Sequence, residues 1–284
     1  MIFQPRAQLD YAINGSSSIL TSVKVLPTPG QVLREESLTA SRQVAEFKDL
    51  EIASVEGRFT RINIKDAGPL KLVYEAEVES FHQVLNAAEL PKSALSDLPG
   101  EVIPFLYPSR YCQSYLIQNV ALDLTQSCAT DYDKVRRIVS WIQEHIRYQL
   151  GSSEPTDSAM NTLTERAGVC RDFAHLAIAM VRALSIPARY ITGYAHRLNP
   201  QDFHALFEAY LGDRWCVFDA TYLAPLNGVL KIASGRDATD VAVANLFGAV
   251  GSSAFSVSCD CPGTVFEPIW QQDLFQRTEV LCLK

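Results

Sequence analysis

Gly168-Val169-Cys170-Arg171-Asp172-Phe173-Ala174-His175-Leu176 opens an apolar stripe at helical spacing. Phe173, Ala177, Met180, Val181 and Leu184 share one face before Ser185-Ile186-Pro187 ends the period. The spacing predicts a helix beginning close to Cys170, with the thiol in its first turn. Backbone N–H groups lack partners there and the helix macrodipole is positive, which favours thiolate over thiol. Arg171 adds to that field, whereas Asp172 opposes it while suiting the helix terminus itself. An arbitrary cysteine is usually just a small buried residue, so a nucleophile at Cys170 requires a base from elsewhere.

Downstream, strand-like stretches fall at Ala188 to Ala195, Ala205 to Leu211 and Trp215 to Ala220, the last two separated by Gly212-Asp213-Arg214. Upstream, Val135, Ile138, Val139, Ile142 and Ile146 recur at helical spacing after the caps Thr130 and Asp131, which predicts a helix over residues 131–148. Helices followed by a strand meander indicate an α+β domain. From Met1 to about Glu101 short β-like runs alternate with turn residues. Ile62 and Ile64, then Leu70, Leu72, Tyr74, Ala76 and Val78, keep a period of two on either side of Asp66-Ala67-Gly68-Pro69, which reads as a hairpin in a sandwich-like domain. Prolines at 91, 99, 104 and 108 break regular structure. They place a boundary near residue 105, dividing a β-rich 1–105 from a catalytic 106–284 with a C-terminal extension.

Five histidines compete for the role of base. His175 is five residues beyond Cys170 on the same predicted helix, about 140° around the axis, and points away. His145 and His82 suit surface or packing roles, and His196 precedes a loop containing Asn199-Pro200. His204 opens a strand, His204-Ala205-Leu206-Phe207-Glu208-Ala209-Tyr210, that turns and returns as Trp215-Cys216-Val217-Phe218-Asp219. With a two- or four-residue loop centred on Gly212 and Asp213, Leu206 falls opposite Asp219 and His204 opposite Thr221. Asp219 then shares the face of His204 at a diagonal of roughly 7–8 Å between backbones, which side chains can bridge. A three-residue loop or a bulge would break that parity. A carboxylate so placed would fix the imidazole tautomer and stabilise the imidazolium.

Composition sets the outer limits. The 284 residues are 48% hydrophobic and 20% charged, with a formal charge of −7 and a pI near 5.3; this is a folded chain with no basic stripe for nucleic acid. No apolar run reaches the length of a membrane span, and the start, Met1-Ile2-Phe3-Gln4-Pro5-Arg6, has neither a basic leader nor an apolar stretch, so a cytoplasmic protein is expected. Seven cysteines, an odd number in a chain of this size, argue against a disulfide framework. Cys259-Asp260-Cys261 lacks the second ligand pair of a zinc site, and Asp131-Tyr132-Asp133 lacks the glycine and distal glutamate of a calcium loop. No metal or cofactor is expected.

The chain resembles the transglutaminase-like superfamily, the papain-related group that includes transglutaminases and bacterial cysteine proteases. The resemblance rests on Gly168 to Leu176, on Phe203-His204-Ala205 with Glu208-Ala209-Tyr210, and on Trp215 to Thr221. Leu106 to Tyr111 and Gly235 to Ala238 resemble flanking stretches of bacterial members, and the N-terminal region resembles the β-rich domain that precedes such cores. The resemblance implies a nucleophile helix packed on an antiparallel sheet, with Cys170, His204 and Asp219 as triad. It also implies a thioester formed on Cys170 from a peptide or side-chain amide of a peptide or protein substrate. Water as acceptor would give a protease or amidase; an amine would give transamidation; a binding module that has lost turnover is a third reading. The Cys170 N–H is the natural oxyanion donor, and Tyr148, although an aromatic at a helix end more often packs, is the candidate for the second.

Overall fold

The computed structural model describes residues 1–53, 55–91, 94–263 and 265–283. Seven strands come first: β1 (Ile2–Thr21), β2 (Gln31–Ala40), β3 (Glu46–Leu50), β4 (Glu56–Gly57), β5 (Phe59–Ile64), β6 (Gly68–Ser80) and β7 (His82–Asn86). Helices α1 (Ser114–Thr125) and α2 (Asp131–His145) follow, then β8 (Arg147–Tyr148), α3 (Ala159–Glu165), β9 (Ala167–Gly168) and α4 (Cys170–Ala183). The chain ends with β10 (Ala188–Ala195), β11 (His204–Leu211), β12 (Arg214–Phe218), β13 (Val229–Gly235), β14 (Ala244–Asp260), α5 (Gln271–Arg277) and β15 (Glu279–Leu283). Among the described residues no helix is long and apolar enough to cross a membrane.

Alternation builds the first sheet. Phe3, Ala7, Leu9, Tyr11, Ile13 and Ile19 of β1 are buried on one face together with Ile62, Ile64, Leu70, Leu72 and Tyr74, as a period of two requires. The sheet is curled and antiparallel, in the order β2-β6-β1-β5-β3, with β14 also on β1. The hairpin expected around Asp66 to Pro69 does not form. β6 pairs with β1 from Ile2 to Ile13 and β5 pairs with it from Ser17 to Thr21, so β5 and β6 run end to end along one long partner. A period of two on both sides of a break is compatible with reversal or with a kink, and here the matching irregularity of β1 between Ile13 and Ser17 accommodates the kink.

The second sheet, in the order β4-β13-β10-β11-β12-β15-β7, is also antiparallel. Helix α4 packs against β10 and β11 and is buried almost throughout, from Asp172 to Ala183. The β11–β12 hairpin has the expected parity: Phe207 faces Phe218 and Leu211 faces Arg214. Its two-residue turn, Gly212-Asp213, has φ of 59° and 78°, the left-handed pair that matches strand twist. The Ile103–Leu106 segment, where the boundary is expected, is a short 3₁₀ turn. Both sheets take strands from both sides of it: β4 and β7 join the second sheet, and β14 joins the first.

Candidate active site

Helix α4 starts where it does because the carboxylate of Asp172 folds back, Oδ2 accepting the Val169 N–H at 2.8 Å. That return leaves no space beside it, since a Cβ at residue 168 would stand 2.7 Å from the Asp172 Cβ; glycine is therefore required two residues before Cys170. Cys170 is the first residue of the helix and half-buried. A pair of two-residue strands, β8 and β9, sets Tyr148 opposite Gly168 in parallel register, bringing Tyr148 to the start of α4.

His204 and Asp219 are both buried, and His204 Nε2 lies 2.9 Å from Asp219 Oδ2. This leaves Nδ1 free of Asp219, with the Cys170 thiol close enough to the ring to raise its pKa. Burial alone would lower the imidazole's pKa, but the Asp219 carboxylate and then Cys170 outweigh it and raise it to about 10. Burial opposes the charge of Asp219 too, yet His204 and Thr221 hold its carboxyl below the usual range. Its Oδ1 accepts the Thr221 N–H at 2.8 Å and the Thr221 hydroxyl at 2.6 Å, Oδ2 accepts the Ala224 N–H at 3.3 Å, and its own N–H donates to Gln271 Oε1 at 3.0 Å. The carboxylate that orients the imidazole is thus itself held from several sides.

The Cys170 main chain lies beside the Tyr148 phenol and favours the phenolate. Burial, with Cys170 and Asp202 nearby, prevails and pushes the phenol upward, so Tyr148 keeps its proton and remains a donor. Its ring leans on Phe173 at 5.8 Å.

The remaining histidines are engaged elsewhere. His175 is fully buried, stacked on Tyr111 at 4.9 Å, and accepts the Ala238 N–H at its Nε2. Burial lowers its pKa to about 3, against the pull of Asp237, so it is a neutral packing residue. His196 Nδ1 meets the Cys259 carbonyl at 2.7 Å, and His145 stacks on Trp141. His82 is half-buried on β7. The flanking stretches meet around α4: the Arg182 guanidinium donates to the carbonyls of Tyr107, Ala188 and Arg236 and to the Ser109 hydroxyl, and Asp237 accepts the Tyr111 N–H at 2.9 Å. Sequence reasoning missed Gln271 and Asp202. Gln271 lies 52 residues beyond Asp219 without a spacing signal; Asp202, two residues before His204, accepts the Phe203 N–H at 2.6 Å, and that proximity was the available hint.

In front of Cys170 and His204 lies a cavity of about 460 Å³ lined also by Arg110, Tyr111, Arg171 and Tyr190. Among the described residues no three His, Cys, Asp or Glu side chains gather as metal ligands.

A family model described as the transglutaminase-like superfamily matches residues 118–220, and one described as the N-terminal domain of bacterial transglutaminase matches residues 1–100. A crystal structure of a "putative cysteine protease" from Cytophaga hutchinsonii is 42% identical, with a TM-score of 0.95, covering 100% of this chain and 98% of that one. The chain belongs to the transglutaminase-like superfamily. An uncharacterized protein of Mycobacterium leprae is 30% identical over 110 residues, 36% of this chain and 39% of its own length. The human kyphoscoliosis peptidase is 28% identical over 131 residues, 41% of this chain and 20% of its own. The chain thus spans well under half the length of these two relatives. With the transglutaminase-like core and the Cytophaga hutchinsonii neighbour, the protein is a thiol enzyme of the transglutaminase-like kind.

Proposed function

We propose that Cys170, His204 and Asp219 act as a triad that cleaves peptide or side-chain amides through a thioester, with water as acceptor. The observation that carries this reading is the buried His204–Asp219 pair at 2.9 Å with the Cys170 thiol beside the same imidazole. Sγ attacks the amide carbonyl carbon with its proton already held on His204 Nδ1, where the raised pKa of the imidazole keeps it. The oxyanion is met by the Cys170 N–H and the Tyr148 hydroxyl. Collapse breaks the C–N bond, and the amine leaves with the proton held by His204. Water then attacks the thioester carbon while His204 takes one of its protons, the C–S bond breaks, and a carboxylic acid departs, leaving sulfur beside the protonated imidazole. Asp219 keeps Nε2 protonated and Nδ1 aimed at the sulfur.

The test is to incubate the full chain with a peptide substrate library in ¹⁸O-water, with and without a labelled primary amine. Uptake of ¹⁸O into new carboxyl groups, lost in Cys170→Ala, is the expected result. Amine incorporation in place of ¹⁸O would make the protein a transamidase and overturn the hydrolytic reading.

A further inference from the structure

We infer that the cleft in front of Cys170 selects an acyl donor that carries a carboxylate; this rests on the acyl-transfer reading above. The molecule carries a formal charge of −7, yet among the described residues the charged side chains lining this cavity are Arg110, Arg171 and His204, with no Asp or Glu. A cavity of opposite sign to the rest of the surface concentrates anions locally.

Arg110 is exposed, and its guanidinium lies 5.1 Å over the Tyr111 ring; among the described residues it has no ion-pair partner. Arg171 is held differently. One terminal nitrogen donates to the Ser153 hydroxyl at 2.7 Å and to the Glu154 carbonyl at 2.5 Å, and its Nε stands 3.6 Å from Asp172, so part of its charge is already answered. The carboxylates nearby are committed as well. Asp172 accepts from Val169, Asp202 from Phe203, Asp219 from Thr221 and His204, Asp237 from Tyr111 and Thr239, and Asp240 pairs with Arg236. Arg110 is left as the group with a planar fork of donors to offer, which suits a bidentate carboxylate, and Tyr111 beneath it keeps the fork at the cleft. The donor's carboxylate could be a Glu or Asp side chain or the end of a chain; the recognition chemistry is shared.

The experiment compares alkylation of Cys170 in the full-length protein by iodoacetate and by iodoacetamide, which differ chiefly in charge, with site-resolved mass spectrometry. The ratio of the two rates cancels any change in the thiol itself. Arg110→Gln is expected to lower the iodoacetate-to-iodoacetamide ratio roughly fivefold, as loss of a charge-assisted contact implies. Arg110→Lys should retain part of it, and high salt should erode it in the parent chain. Two peptide amide series then separate the sources: Glu against Gln beside the scissile amide, and free against amidated C-terminus. One of these pairs should be discriminated by the parent chain and not by Arg110→Gln. An unchanged alkylation ratio in Arg110→Gln, or no discrimination in either series by a chain that turns over the neutral peptides, would overturn the inference alone. If neither reagent modifies Cys170 ahead of the other cysteines, the thiol mechanism itself fails and takes this inference with it.

Discussion

Cys170, His204 and Asp219 each carry a different part of the proposed chemistry, so their substitutions should rank. Cys170→Ala removes the attacking atom and should abolish turnover. His204→Ala should cost roughly 10³–10⁴-fold in kcat, at the upper end of what acid–base assistance supplies. Asp219→Asn should leave more residual activity, because it misorients the ring without removing a reacting group, and the Cys170/His204 double variant should be scarcely worse than Cys170→Ala. Steady-state kinetics on folded variants checks the order; an Asp219→Asn chain less active than His204→Ala would break it. The same pair predicts a pH dependence of stability. The raised pKa of His204, about 10, means its stabilisation is complete below the unfolded value of about 6.5 and is lost as pH rises through about 10. The lowered pKa of Asp219 means its share is present above about 3.9 and is lost as pH falls. The stability gap between the parent and Asp219→Asn should therefore be widest near pH 5–6 and close toward pH 10, as urea melts across that range would show. A gap that widens with rising pH would contradict the pairing. At this scale much was legible: a histidine at a strand start and an aspartate at the end of the returning strand are tied by parity alone, so the juxtaposition of His204 and Asp219 followed from the loop length. Gln271 was not, because a contact spanning 52 residues has no local period to betray it.

Among the elements, the start of α4 and the β8–β9 pair do the positioning. Asp172→Ala should lose the acceptor for the Val169 N–H and cost about 1–2 kcal/mol, read as a lower denaturation midpoint, while Asp172→Asn should keep most of the stability; equal losses in the two would mean that the side-chain return is not what holds the helix start. Tyr148→Phe keeps the ring on Phe173 and removes only the hydroxyl. If Tyr148 serves the oxyanion, kcat should fall roughly 10²-fold with KM nearly unchanged; a change confined to KM would assign it to binding instead. The helix α4 could be read from the sequence because apolar residues recur along it at helical spacing, and the β11–β12 hairpin because Gly212-Asp213 marks its two-residue turn. β14 could not. Its residues, rich in Gly, Ser and Ala, are mostly exposed on both faces, so burial imposes no alternation, and its partner β1 lies more than two hundred residues earlier. The kink between β5 and β6 escaped for a related reason: the periodicity shows which face is buried but not whether the chain turns back.

For the molecule as a whole, the exchange of strands between the two sheets decides what can fold alone. A fragment of residues 1–105 lacks β14, which pairs with β1 from Gln4 to Tyr11 and again from Ser17 to Thr21, and leaves β4 and β7 without the sheet they join. Such a fragment should show no cooperative thermal transition by circular dichroism, and the intact chain should unfold in one step with coincident probes; a fragment that melts cooperatively would refute this. The return of β14 also bears on synthesis. A ribosome emits the chain at about 5–20 residues per second, so β1 waits while more than two hundred further residues are made before the strand that covers its second edge appears. During that interval the edge of β1 left open by β5 and β6 is a template for other nascent chains, and it closes only when β14 has been made.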